Sequence, residues 1–153
     1  MIRKADIQNV KSIHLLLDRY SKRGDLIARP LSELYDHIRD FFVFVNDEDN
    51  SIEGCCALQF CWEGLAEIRS LAVDESHQHK KIGSRLVEAA LDEAKQFKIK
   101  DVFTLTYRPE FFSKFGFEVI DRSELPLKIW ADCILCVKFP DCDETAMMKR
   151  LLR

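Results

Sequence analysis

Apolar and polar residues follow one another along this chain at spacings that switch between the two regular periods. Met1 to Ala5 reads as a short strand, and Asp6 can cap a helix whose apolar stripe is Val10, Ile13, Leu17 and Tyr20, at steps of three and four. Ser21-Lys-Arg-Gly24 ends that helix, and a second is expected from about Pro30 to Asp40, with Pro30 at the tolerated first position. Phe41 to Val45 is a strand, Asn46 to Asn50 a polar turn, and Ile52 to Cys61 and Leu65 to Val73 two further strands hinged at Glu63-Gly64. Residues 41–73 therefore predict an antiparallel meander. The clearest helix runs from Lys81 to Phe97, with Ile82, Leu86, Ala90, Ala94 and Phe97 on one stripe. Asp101 to Thr106 is a strand, Pro109 to Phe115 a short helix ended by Gly116, and Phe117 to Ile120 a strand. The helix between these two strands implies a parallel or crossover relation. A last strand is expected at 133–139 and a closing helix from Asp143 to Leu152, capped by Asp143. No repeat and no linker interrupts this order, so one mixed α/β layer structure is expected over residues 1–153.

Composition narrows the class. At 153 residues, 47% apolar and 32% charged, the chain can bury a real core and is not a disordered or low-complexity sequence. A net charge of −3 offers no general attraction to nucleic acid or to an anionic membrane. No apolar run is long enough to span a bilayer, and no signal-peptide pattern opens the chain, so a cytoplasmic, reducing location is expected. Thiols are then the default for the six cysteines, and Cys55, Cys56 and Cys61 read as small buried hydrophobes on a strand.

The most informative stretch is Glu67-Ile-Arg-Ser-Leu-Ala-Val73 followed by a polar loop and the helix that starts near Lys81. Amides at a helix start lack intrahelical partners and carry the positive end of the dipole, which suits a phosphate. Gly83 permits close approach to the backbone, and Lys80, Lys81 and Arg85 add positive charge. A plain β-turn-α connection with a solvated basic start satisfies the same pattern. Gln78-His-Lys-Lys-Ile-Gly83 resembles the (Gln/Arg)-x-x-Gly-x-(Gly/Ala) signature of the GNAT superfamily of acetyl-CoA-dependent N-acetyltransferases, with Lys81 where the first glycine is usual. The elements before and after it occur in that family's order over most of the chain. The resemblance implies a GNAT-like fold, a mixed and mostly antiparallel central sheet flanked by helices, with acetyl-CoA as co-substrate and no metal. It further implies that Leu71, Ala72 and Val73 pair through backbone with the pantetheine arm, and that Gln78, His79, Lys80, Lys81, Ile82, Gly83 and Ser84 hold the pyrophosphate.

For chemistry, an amine is an ammonium at neutral pH and must lose a proton before it attacks a thioester. Glu67, six positions before Val73 in an apolar strand, is the candidate base, and burial would raise its pKa usefully. Its position matches the glutamate that many family members use; the plainer alternative is a strand carboxylate paired with Arg69 or a lysine. Family members often carry a general-acid Tyr in Tyr-x-x-x-Gly-Phe, but here Phe112 stands at that place before Gly116-Phe117. Tyr107 or Ser113 can substitute, and Tyr107 is the candidate.

Leu26-Ile-Ala-Arg29, Leu105-Thr-Tyr-Arg108 and Leu125-Pro-Leu-Lys-Ile-Trp130 are similar to segments of the acetyltransferase domain of short-form N-acetylglutamate synthases. That likeness implies acetylation of the α-amine of L-glutamate, the first step of arginine biosynthesis. A substrate with two carboxylates calls for guanidinium forks, and Arg29, Arg69, Arg108 and Lys128 are the candidates. A homodimer is compatible with this reading. Each of the four residues also reads as an ordinary surface charge.

Cys133, Cys136 and Cys142 form C-x2-C-x5-C without an obvious fourth zinc ligand, and a strand at 133–139 would point the first two to opposite faces. Inert or redox-active thiols fit better than a metal site. His14, His37, His77 and His79 show no ligand spacing with them. Two other classes stay open: a GNAT enzyme for another amino acid, a polyamine or a protein lysine, and a non-catalytic CoA- or metal-binding regulatory module.

Overall fold

A computed structural model describes residues 1–22, 29–76, 81–126, 129 and 144–151. Seven strands form one sheet: β1 Ile2–Lys4, β2 Phe41–Val45, β3 Ile52–Trp62, β4 Leu65–Val73, β5 Asp101–Thr106, β6 Glu118–Val119 and β7 Thr145–Arg150, in the order β1-β2-β3-β4-β5-β7-β6. Neighbours pair antiparallel except β4 and β5, which are parallel. The helices are α1 Val10–Lys22, α2 Leu31–Asp36, α3 Ile82–Gln96 and α4 Pro109–Ser113.

Both faces of the sheet are covered, which explains why β2 is apolar throughout rather than alternating. Phe41, Val43 and Val45 pack with Val10, Ile13, Leu17 and Tyr20 of α1. Phe42 faces the other way, toward Ile82, Leu86, Val87 and Ala90 of α3. Adjacent Cys55 and Cys56 divide between the same two cores, and burial pushes the Cys55 thiol up to about 12, so both act as small apolar groups. Gly54 permits the close fit of α3 on β3: a Cβ there would meet Ile82 Cγ2 at 2.9 Å and Leu86 Cδ1 at 3.0 Å.

The meander expected over 41–73 is present, and β5 and β6 run parallel, with β7 inserted between them. Four expectations are corrected. The closing helix is β7 instead: Met147 and Ala146 are buried within the sheet, and pairing along all of β5 outweighs the local helical pattern. The second helix is split into α2 and a 3-10 turn at Ile38–Asp40, with Pro30 as its N-cap. Asp6 caps a 3-10 turn, Ile7–Asn9, that leads into α1. Phe97 lies beyond the end of α3, 59% exposed against Phe60. The strand expected at 133–139 lies outside the described residues. Among those described, no helix is long and apolar enough to cross a membrane.

Candidate active site

The parallel pairing of β4 with β5 stops at Glu67 opposite Phe103. Thr104 Oγ1 donates to the Ile68 carbonyl at 2.8 Å, bridging the crotch where the strands part. Beyond it opens a cleft of about 100 Å³, walled by Arg69, Ser70 and Leu71 on β4 and by Leu105, Tyr107 and Arg108 on the β5 side. Phe111, Phe112, Tyr20 and Glu144 also line it. A larger groove of about 620 Å³ lies over α1 and the 50–52 turn, but its residues pair among themselves, as Arg19 does with Asp74 at 3.4 Å, and none belongs to the motifs above.

The β4 wall is bent. Cys55 pairs with Ala72 and Ala57 with Arg69, so Ser70 and Leu71 together oppose Cys56 in a bulge. Ser70 takes the left-handed region at φ 56, a conformation costly for a residue with a Cβ and held only where surroundings enforce it. Two contacts do so: Cys55 Sγ donates to the Ser70 carbonyl at 3.4 Å, and Arg29 Nη1 donates to Ser70 Oγ at 3.2 Å. Farther along β4, the Tyr20 hydroxyl donates to the Val73 carbonyl and ties α1 to the strand end.

The strand leads toward α3, whose N-cap Lys81 is also left-handed, at φ 58 and ψ 26, and makes no side-chain cap. The glycine usual at this position suits that dihedral; lysine adopts it with strain. Helix geometry leaves the first-turn amides without intrahelical acceptors. A Cβ on Gly83 would meet only ordinary contacts, Phe111 at 3.6 Å and Val73 at 3.7 Å. Those surroundings by themselves do not demand glycine at this position.

The predicted side chains fall into three places. Arg69, Leu71, Tyr107 and Arg108 share the cleft, and Glu67, half-buried, stands at its closed end, in register with Gln59 and Phe103. Arg69 Nη1 donates to Gln59 Oε1 at 3.2 Å, and Arg108 is exposed, its backbone N–H donating to Thr106 Oγ1 at 2.8 Å. Arg29 is not a wall of the cleft but is buried beside it, at the Ser70 bulge. Burial and the nearby Arg69 lower its pKa, and Glu33 opposes them. Ala72, Val73, Lys81, Ile82, Gly83 and Ser84 follow the path from the bulge to α3. Gln78, His79, Lys80 and Lys128 lie outside the described residues, as do His77, Cys133, Cys136 and Cys142. Phe112, at the place of the family tyrosine, is a buried aromatic packed on Phe111 and Phe117. No group of metal-ligating side chains occurs among the described residues.

Sequence reasoning missed Ser70, Glu33, Tyr20 and Glu144. Only Glu33 left a signal, an acid four residues after Arg29 at a helix start.

The site thus combines a splayed parallel pair with a bulged strand that leads toward a helix start. Residues 39–119 match the family model "Acetyltransferase (GNAT) domain", and the chain belongs to that family as a GNAT-type, acetyl-CoA-dependent acetyltransferase. An uncharacterised N-acetyltransferase of Chlorobaculum tepidum is 39% identical over 150 residues, covering 98% of this chain and 96% of its own. An amino-acid acetyltransferase of Mycobacterium tuberculosis is 31% identical over 131 residues, covering 85% of this chain and 75% of its own. N-acetylglutamate synthase from Neisseria gonorrhoeae, solved with coenzyme A and N-acetyl-glutamate, superposes with a TM-score of 0.90 at 28% identity. That match takes in all of this chain and 35% of the Neisseria chain. The fold is the α/β one of this family, with an open, mostly antiparallel seven-stranded sheet between helices.

Proposed function

We propose that this chain transfers the acetyl group of acetyl-CoA to the α-amine of L-glutamate, giving N-acetyl-L-glutamate for arginine biosynthesis, with residues 1–153 as one cytoplasmic transferase domain. The observation that carries the acceptor is the gathering of guanidinium groups: Arg69 and Arg108 line the cleft, and Arg29 reaches its Ser70 wall. Three such groups around so small a volume favour an acceptor with carboxylates, which guanidinium forks bind in pairs of hydrogen bonds. The Neisseria enzyme's complex with N-acetyl-glutamate supports the same choice.

In this mechanism the pantetheine arm lies along Leu71–Val73 and the pyrophosphate sits at the start of α3, over Gly83. Glu67, directly or through a water, takes the proton from the acceptor ammonium. The neutral amine attacks the thioester carbonyl, a C–N bond forms, and the C–S bond breaks as the tetrahedral intermediate collapses. CoA leaves as thiolate and takes a proton from Tyr107 or from water, while the nitrogen gives up its second proton to the Tyr107 phenolate or to water, which leaves the neutral amide. Phe112 supplies none.

One observation favours a second acceptor. Glu144 also lines the cleft, and its charge opposes a second carboxylate there, which favours an amino acid with a neutral side chain. Thiol release by the purified chain with acetyl-CoA and each of the twenty amino acids tests both readings. Activity confined to glutamate supports the first, preference for a neutral amino acid supports the second, and bound CoA without turnover on any amine refutes both.

A further inference from the structure

Glu33 has no part in the mechanism above, yet its carboxylate sits on the one arginine of the site that is fully buried. Because α2 starts at Leu31, Glu33 falls one turn after Arg29. Arg29 Nε donates to Glu33 Oε1 at 3.1 Å, and Nη2 lies 3.0 Å from that same oxygen. Nη2 therefore shares the ion pair with Glu33 but makes no hydrogen bond of its own to it. Nη2 is left buried without a hydrogen-bond partner among the described residues, on a side chain only 3% exposed. The guanidinium also rests on the Phe41 ring, 5.3 Å from its centroid, while Nη1 is committed to Ser70.

Buried guanidinium donors are almost always filled. Here one is unfilled beside a second guanidinium, Arg69, whose charge works against that of Arg29. Both features are relieved by an anion. Ser70 Oγ accepts from Nη1 and so keeps its own proton to donate, and Ser70 lines the cleft.

We infer that Glu33 is a positioning residue for the acceptor: by holding Nε it turns Arg29 so that Nη2, together with the Ser70 hydroxyl, forms a seat for one acceptor carboxylate. This rests on the carboxylate-acceptor reading above. Glu33 touches no reacting atom and acts through Arg29.

Steady-state kinetics of the full chain test it. Glu33→Gln keeps the shape and removes the charge that orients the guanidinium. It should raise the acceptor KM by about 10- to 100-fold and leave kcat and the acetyl-CoA KM within about threefold, the value of a charged hydrogen bond lost in binding. Ser70→Ala should raise the same KM to a smaller degree. Glu33→Ala should be partly restored by added formate, a bare carboxylate that fits the vacated place, which a merely misfolded protein would not show. An unchanged acceptor KM in Glu33→Gln, or an equal rise in the acetyl-CoA KM, overturns the inference. So does a KM penalty that persists on an accepted amine lacking any carboxylate. If wild type ignores L-glutamate and acetylates another amino acid, the glutamate reading falls while the Glu33 effect is still expected on that acceptor. If it acetylates only amines without carboxylates, both fall.

Discussion

The two ends of the candidate site offer a ligand different kinds of donor. At the start of α3 the donors are peptide N–H groups, aimed by the helix itself, and side chains matter there mainly for access and charge. Around the Ser70 bulge the donors are guanidinium groups brought from three places, and each needs its own support. Arg29 has Glu33, Ser70 and Phe41, Arg69 has Gln59, and Arg108 has a backbone fixed by Thr106. Backbone donors do not depend on the side chain beside them: Lys81 occupies the place of a signature glycine by accepting φ 58. A site made of long side chains depends on every prop.

Substitutions on the two sides should therefore separate cleanly. The largest effect is expected at the closed end of the cleft: Glu67→Gln should lower turnover by about 10²–10⁴-fold while acetyl-CoA still binds. Near-normal turnover at neutral pH would remove Glu67 from the role of base. On the side-chain wall, Arg108→Ala should cost roughly 2–5 kcal/mol in kcat/KM for the acceptor if its carboxylate pair is desolvated. Arg108→Lys should recover only part, because charge returns without the fork. Equal losses in acetyl-CoA affinity, read by calorimetry, would erase the distinction between the two ends.

On the backbone side, Gly83→Glu places bulk and negative charge over the helix start and should weaken acetyl-CoA binding about tenfold or more, as a terminal charge is worth up to ~2 kcal/mol. Unchanged calorimetric affinity would move the pyrophosphate elsewhere. Gly54→Ala should destabilise the fold by about 1–3 kcal/mol by overpacking α3 against β3, visible as a lower denaturation midpoint. The smallest effect sharpens the comparison most. Lys81→Gly relieves a left-handed residue and should raise stability by about 1 kcal/mol, with acetyl-CoA affinity little changed. A large loss of affinity would mean that the Lys81 ammonium, rather than the amides, does the binding.

Much of this was legible in the chain. Periods of two and of three to four marked β2, β3, β4, α3 and β5 closely, because each buries a continuous apolar face. The strand-to-helix junction could be read because its donors are backbone, and backbone donors follow from the order of elements alone. β7 was misread because its pattern is equally helical, and its conformation is set by pairing with β5, some forty residues away.

The cleft is the opposite case. The sequence supplied the arginines but not their arrangement: Arg69 and Arg108 as cleft walls, and Arg29 buried against β4. Ser70 carries no sign in sequence that it will turn left-handed, since a bulge comes from the mismatch of β3 with β4, not from serine itself. Which strands part, and so where a cleft can open, depends on parallel pairing that ends at Glu67 and Phe103, residues brought together only by the α3 crossover. Local periodicity, composition and the junction motif thus determined the element order, the apolar faces and the family. Tertiary structure alone decided the splay, the bulge and the seating of Arg29, because each depends on contacts between residues far apart in the chain.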